Sequence, residues 1–163
     1  MATITKNNAR KLPGNAVSGA PYGSMTNLHY NMTLNSSGVF GDSNDSTVVA
    51  IADVVRLGVI PAGMKLLDAL ANVSNVGQAA TTASIGFAYV DGVDSTDVPE
   101  DADYFFSAGL DLATAARTHM TNTGVVPVTL PKDAYLILTN AGAAHDEAMV
   151  LDILITAETA GIV

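Results

Sequence analysis

The side chains with which this chain would carry out acid–base or metal chemistry are three histidines and sixteen carboxylates, and their spacing argues against a catalytic centre. His29 falls on the polar side of an alternating segment, His119 stands between Thr118 and Met120, and His145 lies in the loop from Gly142 to Glu147. His145-Asp146-Glu147 contains a base followed by two acids, but an orienting acid must reach the imidazole by hydrogen bond, and adjacent residues on an extended chain point apart. There is no cysteine, which excludes disulfides, thiolate metal sites and cysteine nucleophiles. Neither a Gly-x-Ser-x-Gly elbow nor a Gly-x-x-x-x-Gly-Lys phosphate loop occurs. The expectation is a protein that is not an enzyme and takes no cofactor or metal.

Metal-dependent enzymes built on jelly rolls of the cupin type carry a His-x-His pair on one strand and a third histidine further on. That pair is missing here. Gly58-Val59-Ile60-Pro61-Ala62-Gly63 is similar to the Pro-x-Gly turn of those proteins, but reads equally as a tight strand connection. The acids concentrate in Asp91, Asp94, Asp97, Glu100, Asp101 and Asp103. Oxygen-rich loops hold calcium, yet the alternate acids followed by glycine of an EF-hand are absent. The segment remains open between a solvated acidic loop, one facing a basic partner, and a calcium loop.

Charge is unevenly placed. Lys6, Arg10 and Lys11 precede every acid, whereas from Asp42 onward sixteen acids meet only Arg56, Lys65, Arg117 and Lys132. A body of that sign repels phosphate backbones, and three cations support only weak, salt-sensitive contacts, so nucleic acid is not an expected partner. No run of 18 apolar residues occurs and the first 24 residues lack a signal-peptide core, which predicts synthesis in a cytoplasm and no membrane partner.

The elements that must position these groups are strands. Met1 to Ser24 is rich in Asn, Gly, Ser and Ala and shows neither period; it is expected to be an extended N-terminal arm, residues 1–24, ahead of a β-sandwich domain at 25–163. Its spaced apolar and basic residues, Ile4, Lys6, Arg10, Lys11, Leu12, Val17 and Tyr22, are candidates for binding a partner subunit. Leu28, Tyr30, Met32 and Leu34 then alternate with polar residues as a half-buried strand, and Val48 to Ile60 reads as one strand buried on both sides. Met64 to Val73 and Ala83 to Tyr89 follow as strands, the latter closed by the Asp91-Gly92 turn. Tyr104 to Phe106 is expected to be a short strand, Gly109 to Thr114 a helical turn, Ala115 to Thr121 a strand, and Val125 to Leu130, broken by Pro127, an edge strand. Ala134 to Leu138 and Met149 to Ile155 are expected to pair as a hairpin. About eight or nine strands at roughly 8–12-residue spacing, without helical segments between them, predict an all-β, jelly-roll-like antiparallel β-sandwich.

Composition adds a surface argument. Of 163 residues, 48% are apolar and only 14% are charged, so Thr, Ser, Asn, Ala and Gly must cover much of the exterior. Such a surface sheds water easily when another protein docks on it. An assembled structural protein is expected.

Arg56-Leu57-Gly58-Val59-Ile60-Pro61-Ala62-Gly63, then Leu66-Leu67-Asp68-Ala69-Leu70, then Ala83-Ser84-Ile85-Gly86-Phe87-Ala88-Tyr89-Val90-Asp91-Gly92 resemble small head proteins of tailed bacteriophages, in particular the cement or decoration class. The resemblance spans roughly Val48 to Phe106 and rests on strand-and-turn pattern. It implies a jelly-roll subunit on the capsid exterior of a virion, binding across major capsid protein subunits and stabilising them, with self-association as homodimer or homotrimer. A basic arm and an acidic body would also let adjacent copies meet head to tail. The competing reading is a carbohydrate- or receptor-binding sandwich module of a viral fibre. Exposed aromatic platforms would favour it; the chain has no Trp and nine Tyr and Phe, several in core-like strand positions.

Overall fold

A computed structural model of the chain describes residues 2–6 and 25–160. Among the described residues nine strands make two facing sheets: β1 (Thr3–Thr5), β2 (Met25–Leu34), β3 (Val54–Ile60), β4 (Met64–Asn75), β5 (Thr82–Tyr89), β6 (Asp101–Asp111), β7 (Ala116–His119), β8 (Ala134–Ala141) and β9 (Met149–Thr159). One sheet has the order β1-β3-β8-β5-β6 and the other β2-β9-β4-β7. Apart from β1, which joins β3 in parallel, every pairing is antiparallel. Eight strands so divided, four to each sheet, form a jelly-roll-like sandwich, the fold class expected from strand count and alternation.

Alternation decides which residues enter the core. On β9, Met149, Leu151, Ile153, Ile155 and Ala157 are buried while the residues between them are half-buried, and on β2 the exposed His29 and Thr33 and the half-buried Asn31 alternate with the buried Leu28, Tyr30, Met32 and Leu34. They meet Val55, Leu57, Ile85, Phe87, Leu136 and Leu138 of the opposite sheet in one cluster. Burying side chains of this size contributes about 1.5–3 kcal/mol each, which is the main support of a fold without disulfides. On the outer face of the five-stranded sheet Val59, Tyr135 and Ile137 form a small second cluster, with the Arg56 guanidinium 4.7 Å above the Tyr135 ring.

Several expectations are corrected. β8 and β9 do not form a hairpin: β8 pairs β3 and β5, β9 pairs β2 and β4, and the connection crosses from sheet to sheet. Periodicity reports which face is covered and is silent about which strand lies alongside. The strand expected over Val48 to Ile60 begins only at Val54, because Ala52 takes a left-handed φ of 66° and Asp53 folds back to accept the Ala50 amide at 2.9 Å. Tyr104 to Phe106 belongs to the long β6, which also takes in Gly109 to Asp111, where a helical turn was expected. Val125 to Leu130 is not a regular strand; after Pro127 it runs beside the start of β4 through Leu66 N to Val128 O at 2.8 Å and Leu130 N to Met64 O at 3.0 Å.

Of the segment expected to be an extended arm, the described residues 2–6 pack against the sandwich. Ile4 is fully buried in the core, paired with Val55, and Ala2 N donates to the buried Asp53 carboxylate at 2.7 Å. Lys6 donates to Asn31 O and stands 3.8 Å from Asp42 of its own chain. A side chain closed inside its own core presents nothing to a partner, so Ile4 is a core residue. Arg10, Lys11, Leu12, Val17 and Tyr22 lie outside the described residues.

Candidate functional site

The three histidines are separated by the fold. His29 and His119 sit on the exposed face of the four-stranded sheet, in one row with Leu154 and Leu70 between them. Three strand spacings hold them about 14 Å apart. His29 Nε2 lies 3.0 Å from Asp152, and His119 Nδ1 3.8 Å from Asp68. His145 is instead completely buried at one end of the sandwich, its amide donating to Val49 O at 2.9 Å and both ring nitrogens without a hydrogen-bond partner. Burial holds its pKa below the ordinary value, and Asp146 opposes this only in part. Among the described residues no group of three or more His, Asp or Glu side chains is placed to hold a metal ion.

The acidic loop is built rather than merely solvated. Tyr89 closes it from β5: its hydroxyl donates to Val98 O and its amide to Glu100 Oε1, both at 2.6 Å. Asp94 accepts the amides of Ser95 and Glu100, each at 2.7 Å, so its carboxylate is used in shaping the turn. Lys132 clamps the other side, 2.9 Å from Asp91 and 4.7 Å above the Tyr89 ring. The Val93 amide, with Lys132 beside it, holds the Asp91 carboxyl below its usual range. Asp97, Asp101 and Asp103 face no cation among the described residues.

Between this loop and the stretch Gly124 to Val128 lies a groove of about 370 Å³. Phe87 and Tyr104, edge to face at 5.5 Å, and Val98, Val125 and Val128 give it an apolar floor, while Asp97, Glu100 and Asp101 supply its acidic wall. Tyr104 donates to Val126 O at 2.9 Å and so fixes the far wall. Gly86 sets the near one. Between the pairs Ile85↔Phe106 and Phe87↔Asp101, β6 carries three more residues than β5, and the extra backbone folds over Gly86, where a Cβ would stand 2.0 Å from Asp101 O. Partial burial, reinforced by a hydrogen bond with Asp103, raises the Asp101 pKa. Val126, 72% exposed, carries the apolar lining out to the surface.

Sequence reasoning located the acids of this site and missed its floor, because Val125 to Val128 reach the loop through β6. The only signal was the Val-rich run itself. All eight described aromatic residues are buried, so the described surface offers no ring as a sugar-stacking platform. What the arrangement can do is bind: an apolar trough with one charged wall suits a side chain that is aliphatic along its stem and cationic at its tip.

The fold is a jelly-roll-like sandwich, and comparison with known proteins places it among solved structures. No protein-family model matches the chain, and no curated protein sequence does. Solved structures do. A chain of the capsid of Ralstonia phage GP4 superposes with a TM-score of 0.69 at 14% identity, covering 98% of this chain and 99% of that one. A chain of the capsid asymmetric unit of cyanophage Pam1 gives a TM-score of 0.53 at 13% identity, covering 90% and 99%. At these identities the likeness shows a shared fold.

Proposed function

We propose that this chain is a structural protein of a phage virion, without catalytic activity, that sits on the outside of the capsid and stabilises it by binding across major capsid protein subunits. The observation that carries the proposal is the extent of the likeness to the phage GP4 capsid chain: almost the whole of each chain takes part, so no additional domain accounts for the match. The surface supports it. The outer face of the four-stranded sheet offers Asn27, Asn31, Thr33 and Thr156 around the half-buried Leu70 and Leu154, with Asp152 and Asp68 each beside a histidine, a mainly uncharged polar field in which few charges must be desolvated.

A ligand that binds only the assembled lattice shifts the equilibrium toward it, and many equivalent sites multiply a modest single-site affinity. The test is direct. Heads of the phage that encodes the chain, prepared with and without it, are heated while DNA release is followed. The decorated heads should release DNA at higher temperature, and purified chain added back should co-sediment with bare heads and restore the difference. Failure to bind bare heads would remove this function.

A further inference from the structure

The groove lies at the opposite edge of the sandwich from Lys6 and Met25, the described residues on either side of the basic segment. The groove is formed at β5 and β6, and β6 is the outermost strand of its sheet. The segment carrying Arg10-Lys11-Leu12 leaves the described structure after Lys6, next to β1, and re-enters at Met25, the start of β2. β1 is the other outermost strand of the five-stranded sheet, and β2 is an outermost strand of the second sheet. Four strand spacings, about 19 Å, separate β1 from β6.

We infer that the groove is a receptor for the Arg10-Lys11-Leu12 segment of a second copy of this chain, so that copies associate head to tail. Charge complementarity selects the occupant. Asp97 and Asp101 have no cationic partner among the described residues, and Lys132 nearby is already taken by Asp91, Val93 O and the Tyr89 ring. The cations of the body lie singly along the sequence, whereas Arg10 and Lys11 are adjacent and are followed by Leu12. In the bound state the cationic tips meet the wall at Asp97 and Asp101 while the leucine and the aliphatic stems cover Val98, Val125 and the exposed Val126. A donor edge and a receptor edge on opposite sides make the contact heterologous, and it builds a ring when its rotation closes. The contact forms in solution and stands independently of the capsid proposal.

Charge reversal in two chains tests it. The first chain carries Asp97→Lys and Asp101→Lys, the second Arg10→Glu and Lys11→Glu, and each is studied at full length by sedimentation velocity at low salt. The wild-type chain should self-associate, and salt should weaken it. Each variant alone should associate about tenfold or more weakly, because donor and receptor now bear like charge. Mixing the two should restore association, since each variant then finds the opposite sign on the other. Circular dichroism of each variant checks that the sandwich is intact, and Asp97→Asn, at an exposed position, provides a milder weakening should the double reversal fail to fold. A wild-type chain that stays monomeric, variants that associate like wild type, or a mixture without recovery would each overturn the inference; unchanged binding of such variants to phage heads would leave the capsid function standing.

Discussion

At the residue scale, buried groups whose polar atoms lack partners are the sensitive points, and His145 is foremost among them. Its imidazole is neutral in the fold because burial lowers its pKa. The unfolded chain therefore takes up the proton first, and stability is complete above about pH 6.5 and lost as pH falls below it. Melting temperature should drop between about pH 7 and about pH 5, above the range where ordinary carboxylates titrate. In His145→Leu the slope should flatten, with no loss of stability at neutral pH; equal slopes in the two proteins would show that another group is responsible. Gly86 is sensitive for a steric reason. A methyl group placed 2.0 Å from Asp101 O must push β6 outward, so Gly86→Ala should lose about 2 kcal/mol or more in chemical denaturation. Because the displaced backbone carries Asp101, the same variant should weaken self-association. The sequence revealed neither requirement: a histidine in a polar loop reads as solvated, and a lone glycine in a strand does not disclose the backbone that crosses it.

At the scale of elements, the alternation of side chains was legible and the partnership between strands was not. Met149 to Ile155 announces its covered face in its residue types, so the contrast between neighbours is a fair test. Ile153→Ala should cost about 2–5 kcal/mol in urea unfolding, whereas Leu154→Ala, on the half-buried outer face, should cost about 1 kcal/mol or less. Equal losses would mean that the strand is turned over. What hid the pairing of β8 and β9 is that both are central strands, each with two partners from distant parts of the chain, and their own residues would suit a hairpin equally well. β1 was obscured differently. Three residues are too short to show a period, and everything that attaches it is tertiary: the pairing with β3, the burial of Ile4, and the Asp53 carboxylate that accepts both Ala2 N and Ala50 N. Asp53→Ala should cost about 1–2 kcal/mol and speed hydrogen exchange at the Lys6 amide, which bonds Arg56 O across this edge. Similarly, the acids of the groove were evident from Asp91 to Asp103, while the valines opposite them became part of the site only through the contact between Tyr104 and Val126.

At the scale of the whole molecule, the first and last regular strands of the body close the fold on each other, since β2 pairs along its full length with β9 and Met25 faces Glu158. β9 is also the neighbour of β4, so it is the one strand that joins β2 to the rest of its sheet. A jelly roll connected in this way gains little from any local piece, and its chain must close a loop of more than a hundred residues before the four-stranded sheet exists. A chain ending at residue 148 should therefore be unfolded by circular dichroism and show no cooperative melt, whereas one lacking residues 1–6, which removes only an edge strand, should keep a single transition at lower temperature. A cooperative transition in the chain without β9 would mean that the five-stranded sheet is an independent unit. That distinction bears on function. If both sheets stand or fall together, the loops at the two ends and the groove beside β6 are held by one rigid body, and a pull on the groove is carried through β5 and β8 to β3 rather than absorbed by local unfolding. In the capsid role proposed above, that rigidity would let a modest docking contact resist load.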